Sequence, residues 1–194
     1  MATAFGVFAN QGIKVPLISI VKVEDWKGKV LQEVDVDNIE GDRVLTPDVT
    51  FIISHILHDN NARAGAFGTS SFLNVRGHPE VSVKTGTTND RRDNWTIGFT
   101  AHALVATWVG NNDNSPMSAA VSGVSGASPI WNVVMRDVLD KAEEGFYSVA
   151  GYSNTDDEGH AWPRQPEEVS GATVCATTGI LPTDTEPNAG CPTR

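Results

Sequence analysis

The stretch from Val81 to Gly110 constrains the fold most. Three extended runs, Val81 to Thr87, Asn94 to Thr100 and Ala103 to Gly110, follow one another with only short turns between them. Turns this short join antiparallel neighbours, because a parallel connection needs a crossover of a dozen or more residues. The prediction is a meander. In the middle run Trp95, Ile97 and Phe99 alternate with polar or small residues, as in a half-buried strand. The third run, Leu104-Val105-Ala106-Thr107-Trp108-Val109, is almost continuously apolar and predicts a central place in the sheet.

Helices are expected on either side. Thr46-Pro47 makes an N-cap and first-turn pair, and Val49, Ile52, Ile53, Ile56 and Leu57 form one apolar stripe running to about Asp59. Ser128-Pro129 repeats the start signal ahead of Trp131, Val134, Met135, Val138 and Leu139, which should cover the sheet. Residues 1 to 9 carry Met1, Phe5 and Phe8 at helical spacing, and Asn10-Gln11-Gly12 suits a left-handed stop. With no capping residue ahead of it, that short helix reads as the end of a longer one. Between these elements, runs at Leu17 to Val23 and Lys29 to Val34 flank Glu24-Asp25-Trp26-Lys27-Gly28 and predict a hairpin. The class is therefore mixed α/β (α+β), an antiparallel sheet covered by helices. From about Phe146 the composition turns to Gly, Ser, Thr, Pro and acidic residues, so residues 1–145 are read as one domain part and 146–194 as an extended tail or small appendage.

Composition narrows the partners. With 194 residues, 40% hydrophobic and 20% charged, the chain can bury a sizeable core. A net charge of -10 argues against a nucleic-acid partner, since phosphate binding needs clustered cations and Arg91-Arg92 is the only basic pair near a motif. No window approaches the roughly 18 apolar residues of a membrane span. No basic residue precedes Lys14, so the start lacks the charged region of a secretory signal. Cys175 and Cys191 fit either a disulfide or two free thiols. His55 and His58, three apart on a helix, have no third ligand nearby and read as a surface pair; no metal or cofactor is expected. Arg91 and Arg92 read as a solvated turn, and Trp95, Trp108 and Trp131 as core anchors.

Chemistry is concentrated at Lys84-Thr85-Gly86-Thr87-Thr88, at a strand end before the turn Asn89-Asp90-Arg91-Arg92-Asp93. A site for a carboxylate-ended peptide needs a cation, hydroxyl donors and open backbone groups, and these residues supply all three. Gly86, without a side chain, lets another backbone or a substrate come close. The tripeptide Lys-Thr-Gly belongs to the motif set of penicillin-binding proteins and class A β-lactamases. Its extension through Thr87-Thr88-Asn89-Asp90, together with Asp93 to Thr100, Trp108 to Met117 and Gly126 to Trp131, resembles the transpeptidase domain of class A, bifunctional penicillin-binding proteins. Met1 to Gly12 and Ala66-Phe67-Gly68 are similar to the segments after the second active-site motif and before the substrate strand. Cys175 to Gly179 and Gly190 to Pro192 are similar to the ends of some members. The resemblance thus implies the C-terminal half of a β-lactamase-like, here incomplete, domain.

That resemblance implies D-alanyl-D-alanine transpeptidation of peptidoglycan stem peptides outside the cytoplasmic membrane, with β-lactams as inhibitors. Thr85 and Thr87 would bind the ligand carboxylate, Lys84 would supply positive potential and join proton transfer, Gly86 would give access, and the Thr87 backbone N–H would be half of an oxyanion hole. The family's nucleophile, a serine in Ser-x-x-Lys at a helix start, is not in place. Ser19-Ile20-Val21-Lys22 matches literally but falls in a predicted strand, where residues three apart point to opposite faces. No Ser-x-Asn and no Gly-x-Ser-x-Gly elbow occurs; Gly123-Val124-Ser125-Gly126 breaks at Ala127. The chain alone is therefore expected to be inactive; the missing N-terminal part of the same protein is a partner, and Met1 an internal residue, if the reading upstream continues into Ser-x-x-Lys and Ser-x-Asn. The competing readings are a non-catalytic module that binds stem peptides or a partner synthase, and a β-lactamase relative.

Overall fold

A computed structural model of the chain describes residues 1–35, 38–118, 125–143, 153–155, 161–175, 179 and 181. In chain order the elements are α1 (Ala2–Ala9), β1 (Ile13–Lys14), β2 (Lys22–Glu24), β3 (Val30–Glu33), β4 (Asp42–Arg43), α2 (Pro47–His58), α3 (Asn60–Phe67), β5 (Ser82–Thr87), β6 (Asp93–Phe99), β7 (Leu104–Gly110), α4 (Ala127–Glu143), β8 (Ser153–Thr155) and β9 (Ala161–Pro163). They lie in a compact unit running from Met1 to Arg164; a second unit runs from Gln165 to Arg194. Most of the stretch read as a tail, Cys191 included, lies outside the described residues. Within the second unit Cys175 is buried and disulfide-bonded, which answers the alternative of a free thiol at that position.

The predicted meander forms, with strand order β5-β6-β7 and every neighbour antiparallel. Its centre differs from the expectation. Among the described residues the middle strand β6 is central and β7 is an edge, although β7 has the more continuous apolar run. The reason is visible in the side chains: β6 buries Asn94 and Thr96 through hydrogen bonds, so its polar positions do not mark a solvent face, whereas Trp108 on β7 is 41% exposed. Trp108 is thus no core anchor.

One sheet face is covered by α4. Trp131, Met135 and Leu139, spaced one turn apart, pack with Val81 and Val83 of the β5 side and with Leu73 and Val75 from the loop before it. Val134, read as part of that stripe, is instead exposed, because the buried face follows the i, i+4, i+8 row. Gly98 lets α4 settle on the sheet: a methyl there would stand 2.2 Å from Trp131 Cζ2. Nearby, buried His78 places Nε2 3.1 Å from Asp140 Oδ1 and Nδ1 3.4 Å from Glu80 Oε1, tying the preceding loop to α4.

The other face carries Phe99, against which Phe5 and Phe8 of α1 pack at 6.4 and 6.3 Å between ring centroids. α1 stops at Gln11 and Gly12, both at positive φ, as the sequence suggested. Helix α2 starts at Pro47 as expected, but the predicted stripe is split: Ile53 and Leu57 are half-buried, on the same face as Thr50 and Ser54. Thr50 and Ser54 are buried while Val49, Ile52 and Ile56 are exposed, and Ser82 Oγ donates to the Ser54 carbonyl at 2.9 Å. Small side chains allow the helix to lie close to β5; Val49, Ile52 and Ile56 are turned away. The Thr46 hydroxyl does not cap the helix but bonds the Asp48 carboxylate, holding that group below its usual range.

Helix α3 has no counterpart among the elements expected from the sequence. Its Asp59 caps it by accepting from Ala62 N at 2.9 Å, a signal hidden by the Gly and Asn content around it. The first predicted hairpin exists as β2 and β3, but residues 17–21 form no strand and Ser19 sits in a bend, so Ser19 and Lys22 share no helical turn. Lys22 pairs instead with Glu24 at 2.8 Å.

Candidate functional site

β5 is an edge strand: among the described residues no strand pairs with it on the side away from β6. Two hydrogen bonds fix which backbone groups face that open side. Thr88 N donates inward to Asp93 O at 3.0 Å, and Arg63 Nη1 approaches the Val83 carbonyl from outside at 3.3 Å. In an antiparallel ladder the inward and outward residues alternate. Thr85 and Thr87 therefore turn their N–H and C=O groups to the open edge, where the sequence reading put an oxyanion donor.

The side chains alternate as well. Ser82, Lys84 and Gly86 stand on the face of α1 and α2, whereas Val83, Thr85 and Thr87 stand on the face of α4. Lys84 returns to the shared edge by bending, its Nζ donating to the Thr85 carbonyl at 2.5 Å. Lys84, Gly86 and Thr87 are exposed and Thr85 is half-buried. At Gly86 a Cβ would meet only Trp95 Cβ, at 3.9 Å, so internal packing does not demand glycine there. The four predicted residues thus lie together at one strand end, with a cation, two hydroxyls and outward backbone groups at a single edge.

Three supports hold this edge. At the far end Arg63 is half-buried and donates to Leu57 O at 2.8 Å, to His58 O and Val83 O at 3.3 Å each, and to Asn60 Oδ1 at 2.7 Å, so the end of α2, the start of α3 and β5 share one guanidinium. Burial pulls its pKa below the ordinary value, with Asp59 opposing. Burial likewise lowers His58, whose ring lies edge-on to His55 at 4.8 Å and to Trp162 at 5.4 Å; the two histidines are packing partners. Among the described residues no cluster of metal-ligating side chains occurs.

At the near end, the turn after β5 is braced by Asp93. Its carboxylate accepts from Trp108 Nε1 at 2.9 Å and from Thr88 Oγ1 at 3.1 Å. Arg91 and Arg92 act within the protein too: Arg91 O accepts from Met117 N, and Arg92 Nη1 donates to Asn114 O, joining this turn to the loop after β7. The third support is Asn94, which sequence reasoning missed. It is fully buried, donates from Nδ2 to Thr87 Oγ1 at 3.1 Å, and accepts from Ala127 N at 2.6 Å. Helix α4 is thereby capped from the sheet and not by Ser128, whose hydroxyl bonds Thr96 at 2.9 Å. An asparagine within an alternating strand carries no local mark of such a role.

No family model matches the sequence. Over 137 residues the chain is 33% identical to penicillin-binding protein 1A of Clostridium botulinum (strain Langeland), an alignment that covers 71% of this chain and 16% of that protein. The fold is shared with penicillin-binding protein 1A of Haemophilus influenzae, at a TM-score of 0.70 and 24% identity over 100% of this chain and 30% of that one. It is shared also with the PonA1 protein of Mycobacterium tuberculosis solved in complex with penicillin V, at a TM-score of 0.51 and 24% identity over 85% of this chain and 43% of that one. The chain spans about a sixth of the length of the curated relative, 16%. The meander flanked by α1 and α4, the Lys-Thr-Gly edge and these likenesses agree, and the chain belongs to the class A penicillin-binding proteins, as a C-terminal part of their transpeptidase domain.

Proposed function

We propose that these residues form the substrate-strand side of a serine-type D-alanyl-D-alanine transpeptidase site that cross-links peptidoglycan stem peptides and takes up β-lactams as inhibitors. The observation that carries this reading is the outward-facing backbone of Thr85 and Thr87 beside Lys84 at an unpaired strand edge. An extended peptide can add to such an edge through main-chain hydrogen bonds. The PonA1 protein of like fold, solved with penicillin V, supports a β-lactam as ligand.

In the reaction, a serine oxygen gives up its proton and bonds to the carbonyl carbon of the penultimate D-alanine. The amide bond to the terminal D-alanine breaks, the leaving amine takes up that proton, and the amine of a second stem peptide then attacks the ester, forming the cross-link and returning a proton to the serine oxygen. Negative charge builds on the carbonyl oxygen, where the Thr87 N–H supplies one preorganised donor. Thr85 and Thr87 hydroxyls hold the substrate carboxylate, the Lys84 ammonium adds positive potential and shares in proton transfer, and Gly86 leaves room for the ligand. Ser-x-x-Lys occurs only at Ser19 to Lys22, outside any described helix, so this reading calls on a serine from another part of the same protein. The reading places the site at the outer face of the cytoplasmic membrane. No described helix is long and apolar enough to cross a membrane.

Intact-mass spectrometry of the chain after incubation with benzylpenicillin tests this. The expected result is no covalent adduct, with NMR titration by a D-Ala-D-Ala peptide moving the Thr85 and Thr87 amides. A stoichiometric adduct overturns the expectation that this chain alone is inactive, and peptide binding that leaves β5 unperturbed overturns the transpeptidase reading in favour of a non-catalytic module.

A further inference from the structure

Asn94 determines more than the position of α4. A backbone N–H can only donate, so the Asn94 atom 2.6 Å from Ala127 N is its carbonyl oxygen, and the atom 3.1 Å from Thr87 Oγ1 is its amide nitrogen. That nitrogen has no lone pair to offer. Thr87 is therefore the acceptor in this bond, and its hydroxyl proton remains to be donated elsewhere. Because Asn94 is fully buried and Thr87 is exposed, the proton is left for a group arriving from solvent.

We propose that Asn94 is a positioning residue that holds the Thr87 hydroxyl as a donor, so that this end of β5 selects ligands bearing an anionic oxygen, a carboxylate. The inference rests on the transpeptidase reading of the same edge and adds the residue that sets its polarity. The chain of contacts runs from the first turn of α4 through one carboxamide to the ligand-facing hydroxyl, so a change in the seat of α4 is transmitted to Thr87.

The decisive variant is Asn94→Asp. It keeps an acceptor for Ala127 N but replaces the amide donor with a second acceptor, so Thr87 now donates inward and presents lone pairs outward. Two measurements on the 194-residue chain test the proposal. In the unsubstituted protein, the Asn94 side-chain NH2 should exchange slowly with solvent; exchange as fast as in a free amide overturns it, whether or not the variant folds. In NMR titrations, benzylpenicillin should be preferred over its methyl ester, and Asn94→Asp should cut that preference about tenfold, as expected for losing one charge-assisted hydrogen bond. Thr87→Ser should retain the preference and Thr87→Val should lose it. A purely structural role for Asn94 would weaken acid and ester alike. An unchanged acid-to-ester ratio in Asn94→Asp removes this inference alone. If neither compound perturbs Thr85 to Thr87 in the unsubstituted chain, the transpeptidase reading falls and the inference falls with it.

Discussion

The indole of Trp131 lies directly on Gly98, so close that a single added methyl would come within 2.2 Å of Cζ2 and 2.9 Å of Cε2. Trp131 is fully buried and its Nε1 donates to the Val105 carbonyl at 3.2 Å, which leaves the ring no route of escape. Gly98→Ala should therefore lift α4 from the sheet and cost about 1–3 kcal/mol, in the range for overpacked cores. Urea unfolding followed by tryptophan fluorescence measures this. A change near zero would mean that the helix can shift freely.

Arg63→Lys keeps the charge but loses the planar fork that reaches three carbonyls and Asn60. A lysine can satisfy only part of that set, so the loss should be about 1–3 kcal/mol. Faster amide exchange at the end of α2 and in β5 should accompany it, measured by hydrogen–deuterium exchange.

The Thr88, Asp93 and Trp108 contacts brace the turn that follows Lys-Thr-Gly. Asp93→Ala removes two acceptors at a half-buried site and should cost about 1 kcal/mol. The local effect should exceed the global one: the Thr88 amide should lose protection while the core of β6 keeps its own.

His58 predicts a pH dependence. Burial is the largest cause of its lowered pKa, against the contrary pull of the Ser54 carbonyl at 3.3 Å from Nδ1. Because the folded pKa is below the ordinary 6.5, the unfolded chain takes up a proton first as the pH falls. This contribution to stability is complete above 6.5 and declines below it, through the interval down to the depressed folded value. Thermal unfolding from about pH 7.5 to 5 should show that decline, and His58→Gln should flatten it.

Local pattern carried far in this chain. Turn lengths alone required β5, β6 and β7 to form a meander, Pro47 and the Ser128-Pro129 pair marked where helices start, and Lys84-Thr85-Gly86-Thr87 stood at a strand end where a ligand could reach it. These are properties of neighbouring residues, set by backbone reach and by the fixed φ of proline. What only the tertiary structure decided is which face of each element is covered. Val49, Ile52 and Ile56 of α2 are turned outward because Thr50 and Ser54 are small enough to meet β5 closely, and Ser82 supplies the hydrogen bond that makes the approach favourable. The central strand is the one with buried asparagine and threonine, because α4 brings Ala127 and Ser128 to satisfy them. Asn94, 33 residues from its acceptor bond at Ala127, has no signature that a local window could detect. Its role arises only when packing brings a helix start and a strand end to opposite ends of one carboxamide.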